Sequence, residues 1–301
     1  MSMQTIALAI FDGVAYAALV FLVAVGLTLI FGVMRILNVA HGSLYALGAY
    51  LAASLVIGIG TAGWSPLLAY PALVVAAALV GIVVGGAMER FFLQRIYAKE
   101  EALQLLVTFA LFLVLENLQR LIWGVQPYFI GDPVTLLGNV SLGGIAYTRY
   151  QIIFLPCTAV LVLIFLRLFL KRTLAGQIIL AVAEDRETAT AIGINTRRVF
   201  LVTFMIGASL AALGGAVAAP TTSILPGMGA DMIVLSFAVA ATAGLGQIEG
   251  AALTALLIGL ARSFAVYLAP ELEVLTPYLM MVIVLLIRPQ GLFARPEARR
   301  I

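Results

Sequence analysis

Long apolar segments alternate with short polar connections along almost the whole chain. A helix needs about 20 apolar residues to cross a hydrocarbon core of roughly 30 Å, and nine segments reach or approach that length. They cover residues 8–33, 41–57, 66–88, 103–123, 150–170, 199–219, 232–247, 250–269 and 273–288. The pattern predicts an all-α integral membrane protein, one polytopic bundle over residues 1–301 with eight to ten helices and nine as the best count.

Two of these segments, 41–57 and 232–247, are short enough to be broken or re-entrant helices instead of full crossings. The second follows Pro220 and Pro226 and begins directly after Asp231. The first follows a similar polar break. Interrupted segments at comparable places in two halves are typical of transporters built from repeats. The chain is therefore expected to consist of two related halves.

Composition supports a membrane location. Hydrophobic residues make up 63% of the chain and charged residues 10%, against about a quarter charged in soluble domains. No basic stretch or small-residue cleavage site precedes the first apolar run, so no removable signal peptide is expected.

The single cysteine, Cys157, has no partner for an internal disulfide, and its apolar surroundings predict that it packs in the core.

The basic residues predict the orientation. With a cytoplasmic carboxyl terminus, fourteen of the seventeen Lys and Arg residues fall in inside connections, as the positive-inside rule requires. The amino terminus and the loop 124–149 are then outside. Turn residues shape this loop for contact with an extracytoplasmic partner.

A polar island at residues 171–198, KRTLAGQIILAVAEDRETATAIGINTRR, interrupts the apolar pattern. Leu174, Ile178 and Val182 recur every four residues and predict a short helix with an apolar face. Asp185 is expected to cap a second helix over 186–192, which Gly193 ends. The shape fits a soluble knob that docks on another protein, and the alternative is a solvated loop without a partner.

Polar residues near span ends are candidates for a translocation path, because unpaired polar groups are costly in hydrocarbon. Five residues qualify: Asn38, His41, Ser43, Glu116 and Asn117. In a purely structural alternative, Asn38 caps the following helix and His41 makes an interhelical hydrogen bond. Similarly, Glu116 has the spacing to pair with Arg120 on the same helix.

Arg262, within a span, is expected to snorkel outwards.

Several chemistries receive no support from the residues. One His and one Cys do not make a metal site, and no catalytic constellation or cofactor motif stands out. The sequence has no GxxxxGK[ST] phosphate loop, and its acidic residues lie mostly near span ends. A driving force supplied by a separate protein is therefore expected.

Three blocks resemble the permease subunits of branched-chain amino-acid (LIV-type) ABC importers: GLTLIFGVMRILNVAHGSLYALGAY, AVAEDRETATAIGIN and VLLIRPQGLF. The resemblance implies a lipid-embedded subunit of a prokaryotic inner membrane. It would pair with a second permease, forming a heterodimer, sit on two ATPase subunits and receive cargo from an extracytoplasmic binding protein, with no nucleic-acid partner. Asn38, Ala40, His41 and Gly42 fall in the first block.

The resemblance also assigns a cytoplasmic coupling loop within the polar island. Its candidate contact residues are Leu180, Ala181, Ala183, Glu184, Asp185, Arg186, Ala189, Ala191, Gly193 and Ile194. Leu180 stands where the family usually has a basic residue, and the stretch AGLGQIEG departs at Ala243, Gln247 and Glu249. Branched-chain amino acids are the favoured cargo. Urea, short amides or nucleosides are the alternatives, and a stand-alone carrier or channel is the competing class.

Overall fold

The structure, a computed structural model, describes residues 3–142 and 145–293. The first half of the chain folds into five α-helices, of which α3 and α4 belong to one span. These are α1 (Met3–Met34), α2 (His41–Thr61), α3 (Ala69–Leu79), α4 (Gly86–Phe91) and α5 (Glu101–Trp123). A π-helical stretch, Val80–Gly85, joins α3 to α4, and 3₁₀ turns at Pro66–Leu68 and Leu93–Arg95 complete one long third span.

The loop after α5 has structure of its own. It contains α6 (Asp132–Leu137) and two antiparallel strands, β1 (Asn139–Leu142) and β2 (Ile145–Thr148), with Asn139 opposite Thr148. This small hairpin is the exception to an otherwise helical protein. Its Tyr147 hydroxyl lies 3.4 Å from the Asp12 carboxylate, which fastens the loop to α1.

The second half begins with a π-helical turn at Tyr150–Phe154 and continues through eight further helices or turns. They are α7 (Leu155–Arg172), α8 (Leu174–Glu184), α9 (Arg186–Ala191), α10 (Thr196–Ala218), α11 (Met228–Ala243), α12 (Ile248–Leu268), a 3₁₀ turn (Pro270–Leu272) and α13 (Thr276–Ile287).

All nine predicted segments coincide with helices, and seven of these are long and apolar enough to cross a membrane. The other two, α11 and α13, have 16 and 12 residues, so they rise only about 24 and 18 Å. The polytopic helical membrane fold is confirmed. Within the described residues seven helices have the length for a full crossing, and nine crossings stays a prediction for the two shorter helices. The prediction of two related halves is not tested by these lengths.

Helix α1 lies at the centre of the bundle. Of its most apolar stretch 83% is buried, against 67% for α10, 56% for α2 and only 17% for the peripheral α7. Glycines allow the central helices to approach closely. A Cβ atom at Gly48 of α2 would lie 2.1 Å from the carbonyl oxygen of Ala212 on α10. One at Gly215 of α10 would lie 1.9 Å from the carbonyl oxygen of Tyr45 on α2.

One prediction about a single residue was wrong. Cys157 is exposed rather than packed, because it lies on the peripheral α7. Snorkelling of Arg262 stays a prediction. Its guanidinium forms an ion pair with Glu273, which lies beyond the end of α12, and lies 3.9 Å from the centre of the Tyr16 ring, a favourable contact for a cation.

The predicted inside connections share one end of the bundle. The linker after α1, the loop before α5 and the turn between α8 and α9 line the same cavity. The loop 124–149 follows α5 at the opposite end, as the helix order requires. Which end faces the cytoplasm stays a prediction.

Candidate coupling hairpin and buried junction

The polar island folds as two helices joined by a one-residue turn, here called the α8–α9 hairpin (residues 174–193). Asp185 caps α9: its carboxylate accepts hydrogen bonds from the Glu187 and Thr188 backbone amides, both at 3.0 Å, and from the Thr188 hydroxyl at 2.7 Å. Gly193 follows the helix with φ of +91°, a conformation that favours glycine. The predicted helix, turn and helix are confirmed.

The predicted apolar face of α8 is confirmed at Val182, which is 2% exposed, and at Ile178, which packs against the core, and is wrong at Leu174, which is 76% exposed. Gly176 lies against the end of α7, where a Cβ atom would be 2.1 Å from the Phe169 carbonyl oxygen. Ala189 of α9 is also buried, at 3%, so both helices are seated on the bundle.

The outer surface of the hairpin mixes charged and apolar groups. Leu180 is 43% and Ile192 72% exposed. Most predicted coupling residues share this surface; Ala183, Asp185 and Ile194 are half-buried, and Leu180, Ala181, Glu184, Arg186, Ala191 and Gly193 are exposed. Exposed leucine and isoleucine beside charges are typical of a protein interface.

A chain of side-chain contacts joins the hairpin to the end of the third span. The Arg186 guanidinium lies 4.9 Å from the centre of the Phe200 ring, and Tyr97 packs edge-on against Phe200 at 5.1 Å. The Tyr97 hydroxyl donates to the Glu89 carboxylate at 2.7 Å. Burial, and next the hydrogen bond to Glu89, raise the pKa of Tyr97, so the hydroxyl stays protonated as the donor.

Sequence reasoning missed Glu89, which is 0% exposed and also accepts a hydrogen bond from Gln94 at 2.9 Å. A lone acid at the end of an apolar run was the available signal. Beside this network, a cavity of about 540 Å³ separates the hairpin from the span ends. Its lining includes Arg35, Lys99 and Glu101.

Replacing Asp185 with alanine is expected to loosen α9 without disturbing the spans. Loss of an N-cap costs about 1 kcal/mol, which should raise amide hydrogen exchange over residues 186–194 about fivefold. Hydrogen-exchange mass spectrometry of the purified protein measures this. Asp185→Asn keeps an acceptor oxygen and should exchange nearly as wild type. Equal exchange in Asp185→Ala and wild type would show that the cap does not hold the helix.

The linker between α1 and α2 doubles back along α1. His41 Nε2 lies 3.0 Å from the carbonyl oxygen of Val23, which is about three helical turns before the end of α1 at Met34. The reversal begins at Arg35, the one non-glycine residue with positive φ in the described ranges, at 54°. Helix α2 therefore begins beside the middle of α1, inside the bundle.

The first turns of α2 and α11 meet at this point. A Cβ atom at Gly42 would lie 2.1 Å from the Gly229 carbonyl oxygen. Neither helix has a side-chain cap, since the residues at the cap positions are Ala40 and Gly227. The two segments predicted to be interrupted thus bring their uncapped amino-terminal ends together, in what is called below the α2–α11 junction (Asn38, His41, Gly42 and Gly229).

Polar atoms at this junction are buried without partners. Asn38 is 0% exposed, and neither its amide nitrogen nor its amide oxygen has a hydrogen-bond partner among the described residues; His41 is 0% exposed, and its Nδ1 has none there either. The interhelical bond of His41 is present, but Asn38 does not cap α2, because α2 starts three residues later. A buried polar group without a partner costs about 1–3 kcal/mol.

The remaining path candidates lie differently. Ser43 is buried and donates to the Phe112 carbonyl at 3.2 Å. Glu116 forms the predicted ion pair with Arg120 at 2.5 Å, and Asn117 is exposed and donates to the Leu113 carbonyl of its own helix. The structure groups Asn38, His41 and Ser43 and leaves Glu116 and Asn117 on the outer half of α5. The transport role of all five stays a prediction.

A sequence model of the family described as "Branched-chain amino acid transport system / permease component" matches residues 9–285. The chain belongs to this family. The resemblance inferred from the three sequence blocks is thereby confirmed.

Relatives in this permease family match along most of their length. The chain is 29% identical to the high-affinity branched-chain amino acid transport system permease protein LivH of Escherichia coli, over 97% of this chain and 96% of that one. It is 29% identical to the corresponding permease protein BraD of Pseudomonas aeruginosa, over 96% of each. A probable LivH of Methanocaldococcus jannaschii is 28% identical over 84% and 79%.

A solved structure shares the fold. PsaBC from Streptococcus pneumoniae in complex with Fab superposes with a TM-score of 0.50 and 12% identity, covering 93% of this chain and 91% of that chain. At this identity the likeness concerns architecture alone.

Proposed function

We propose that this chain is the transmembrane permease subunit of an ATP-driven importer of branched-chain amino acids in a prokaryotic inner membrane. The family match over residues 9–285 carries the proposal. The chain supplies no phosphate-binding loop, so ATP hydrolysis belongs to separate subunits. The partners are a second, related permease, two ATPase subunits and an extracytoplasmic binding protein, and the subunit itself is not an enzyme.

The α8–α9 hairpin is the proposed contact with an ATPase subunit. It is a capped, seated helical element outside the spans, and its outer surface offers Leu180 and Ile192 for burial with Glu184 and Arg186 for charge pairing. Such a surface fits a groove with an apolar centre and a polar rim. Movement of the hairpin reaches the spans through its seat on α7 and α10.

The experiment uses a complex purified through a tag on this chain and reconstituted in proteoliposomes with the extracytoplasmic binding protein. ATPase subunits should co-purify, and leucine should accumulate only with ATP. Leucine uptake without ATP or an ATPase would identify a stand-alone carrier. ATP-driven uptake of urea or uridine, but not leucine, would show that the proposed cargo is wrong while the importer architecture holds.

A further inference from the structure

The α2–α11 junction has the features of a site for a small charged group. Helix amino termini carry partial positive charge and free backbone N–H groups, and here α2, of 21 residues, and α11, of 16, both begin without a side-chain cap. The first turn of α2 is buried, whereas that of α11 is partly exposed. Ala40, His41 and Ser43 are at most 1% exposed, and Gly42 is buried, so this end of α2 is shielded from bulk solvent.

The unpartnered side chains add both donors and acceptors. Because a carbonyl oxygen only accepts, His41 Nε2 carries the proton in its bond to Val23, and Nδ1 of the neutral ring is an acceptor. The Asn38 amide offers one donor group, Nδ2, and one acceptor, Oδ1. None of these three atoms is used within the described part of the chain.

We propose that the α2–α11 junction binds the zwitterionic head group of an α-amino acid as it passes through the permease. The carboxylate takes hydrogen bonds from the Gly42 and Ser43 amides of α2 and from Asn38 Nδ2, and the ammonium group donates to His41 Nδ1 and Asn38 Oδ1. This inference rests on the proposed function and names the atoms that recognise its substrate class.

The structure holds this site closed. The backbones of Gly42 and Gly229 are in contact, so a substrate enters only when α11 separates from α2. Asp231, exposed in the first turn of α11, offsets the positive potential at that end. The α2 amino terminus therefore carries the attraction for the carboxylate.

Two substitutions of Asn38 separate substrate binding from a structural role. Asn38→Leu removes an unpartnered amide and should raise the melting temperature of the complex. Asn38→Asp places a carboxylate near the amino terminus of α2, whose partial positive charge attracts it. Both should lower ATP-driven leucine uptake at least about tenfold at unchanged protein level, the first by losing the contacts and the second by occupying the carboxylate's place.

Thr254→Val, on α12, is the matched control. It removes a buried hydroxyl that, like the Asn38 amide, has no hydrogen-bond partner among the described residues. It should change stability similarly to Asn38→Leu and leave uptake as in wild type. Ligand probes give a second measurement: leucine should raise the melting temperature of the ATP-bound complex, whereas leucinamide and 4-methylpentanoate, each lacking one charge, should not. Asn38→Leu should abolish the leucine shift.

Wild-type uptake by both Asn38 variants, or equal shifts with all three probes, would overturn the site and leave the importer intact. Failure of the proposed function itself looks different, because the wild-type complex would then show no ATP-driven leucine uptake.

Discussion

Replacing Gly48 with leucine is expected to prevent the bundle from forming. A Cβ atom at this position would lie 2.1 Å from the carbonyl oxygen of Ala212 and 2.5 Å from its Cα. Both atoms are backbone, so no side-chain rotation relieves the clash, and α2 and α10 must separate. Overpacking of this kind costs about 3 kcal/mol or more, enough to lower protein abundance severalfold. Immunoblots of membranes and size-exclusion profiles in detergent measure the loss.

Gly58→Leu is the matched control for this prediction. It lies on the same helix, three turns later, and no atom lies within 4 Å of its added Cβ. It should accumulate and elute as wild type, because the new side chain meets open space. Similar accumulation of both variants would contradict the close α2–α10 crossing.

The helices were predictable because a helix that crosses a membrane needs a continuous apolar run, and such runs are visible locally. Asp185 as a cap and Gly193 as a stop were predictable for the same reason, since both depend on their nearest neighbours in the chain. The starts of α11 and α13 were harder, because apolar residues also precede each helix: α11 begins at Met228 rather than residue 232, and α13 at Thr276 rather than residue 273.

Side-chain environments were less predictable, because they depend on which helices become neighbours. Spacing suggested Leu174 on the buried face of α8, yet Leu174 is exposed, and Gly176 instead lies against α7. Arg262 finds Glu273 eleven residues away and Tyr16 on a distant helix. Periodicity along one helix contains no information about such partners.

The α2–α11 junction shows the same division between local pattern and tertiary context. Polarity within an apolar region singled out Asn38 and His41. The spacing to α2 also suggested a helix cap, and only the fold shows that the linker reverses, so that Asn38 is buried beyond reach of that role. That α11 meets α2 there follows from glycine contacts between distant parts of the chain.

Replacing Gly176 with leucine is expected to separate this permease from its ATPase while leaving the spans folded. An added Cβ would lie 2.1 Å from the Phe169 carbonyl oxygen and 2.5 Å from the Leu170 Cα, so α8 must lift away from α7. The hairpin lies outside the spans, and the protein should therefore still accumulate. A displaced hairpin that weakens docking by about 1.4 kcal/mol lowers the affinity for the ATPase tenfold.

The measurement is the amount of ATPase that co-purifies with the tagged permease, together with ATP-driven leucine uptake. Ala175→Leu serves as the control, because the adjacent Ala175 is exposed and a leucine there meets solvent. It should retain both the ATPase and uptake. If Gly176→Leu also retains them, the seating of α8 on α7 does not position the docking surface. If it loses uptake while keeping the ATPase, the hairpin transmits movement without setting the affinity.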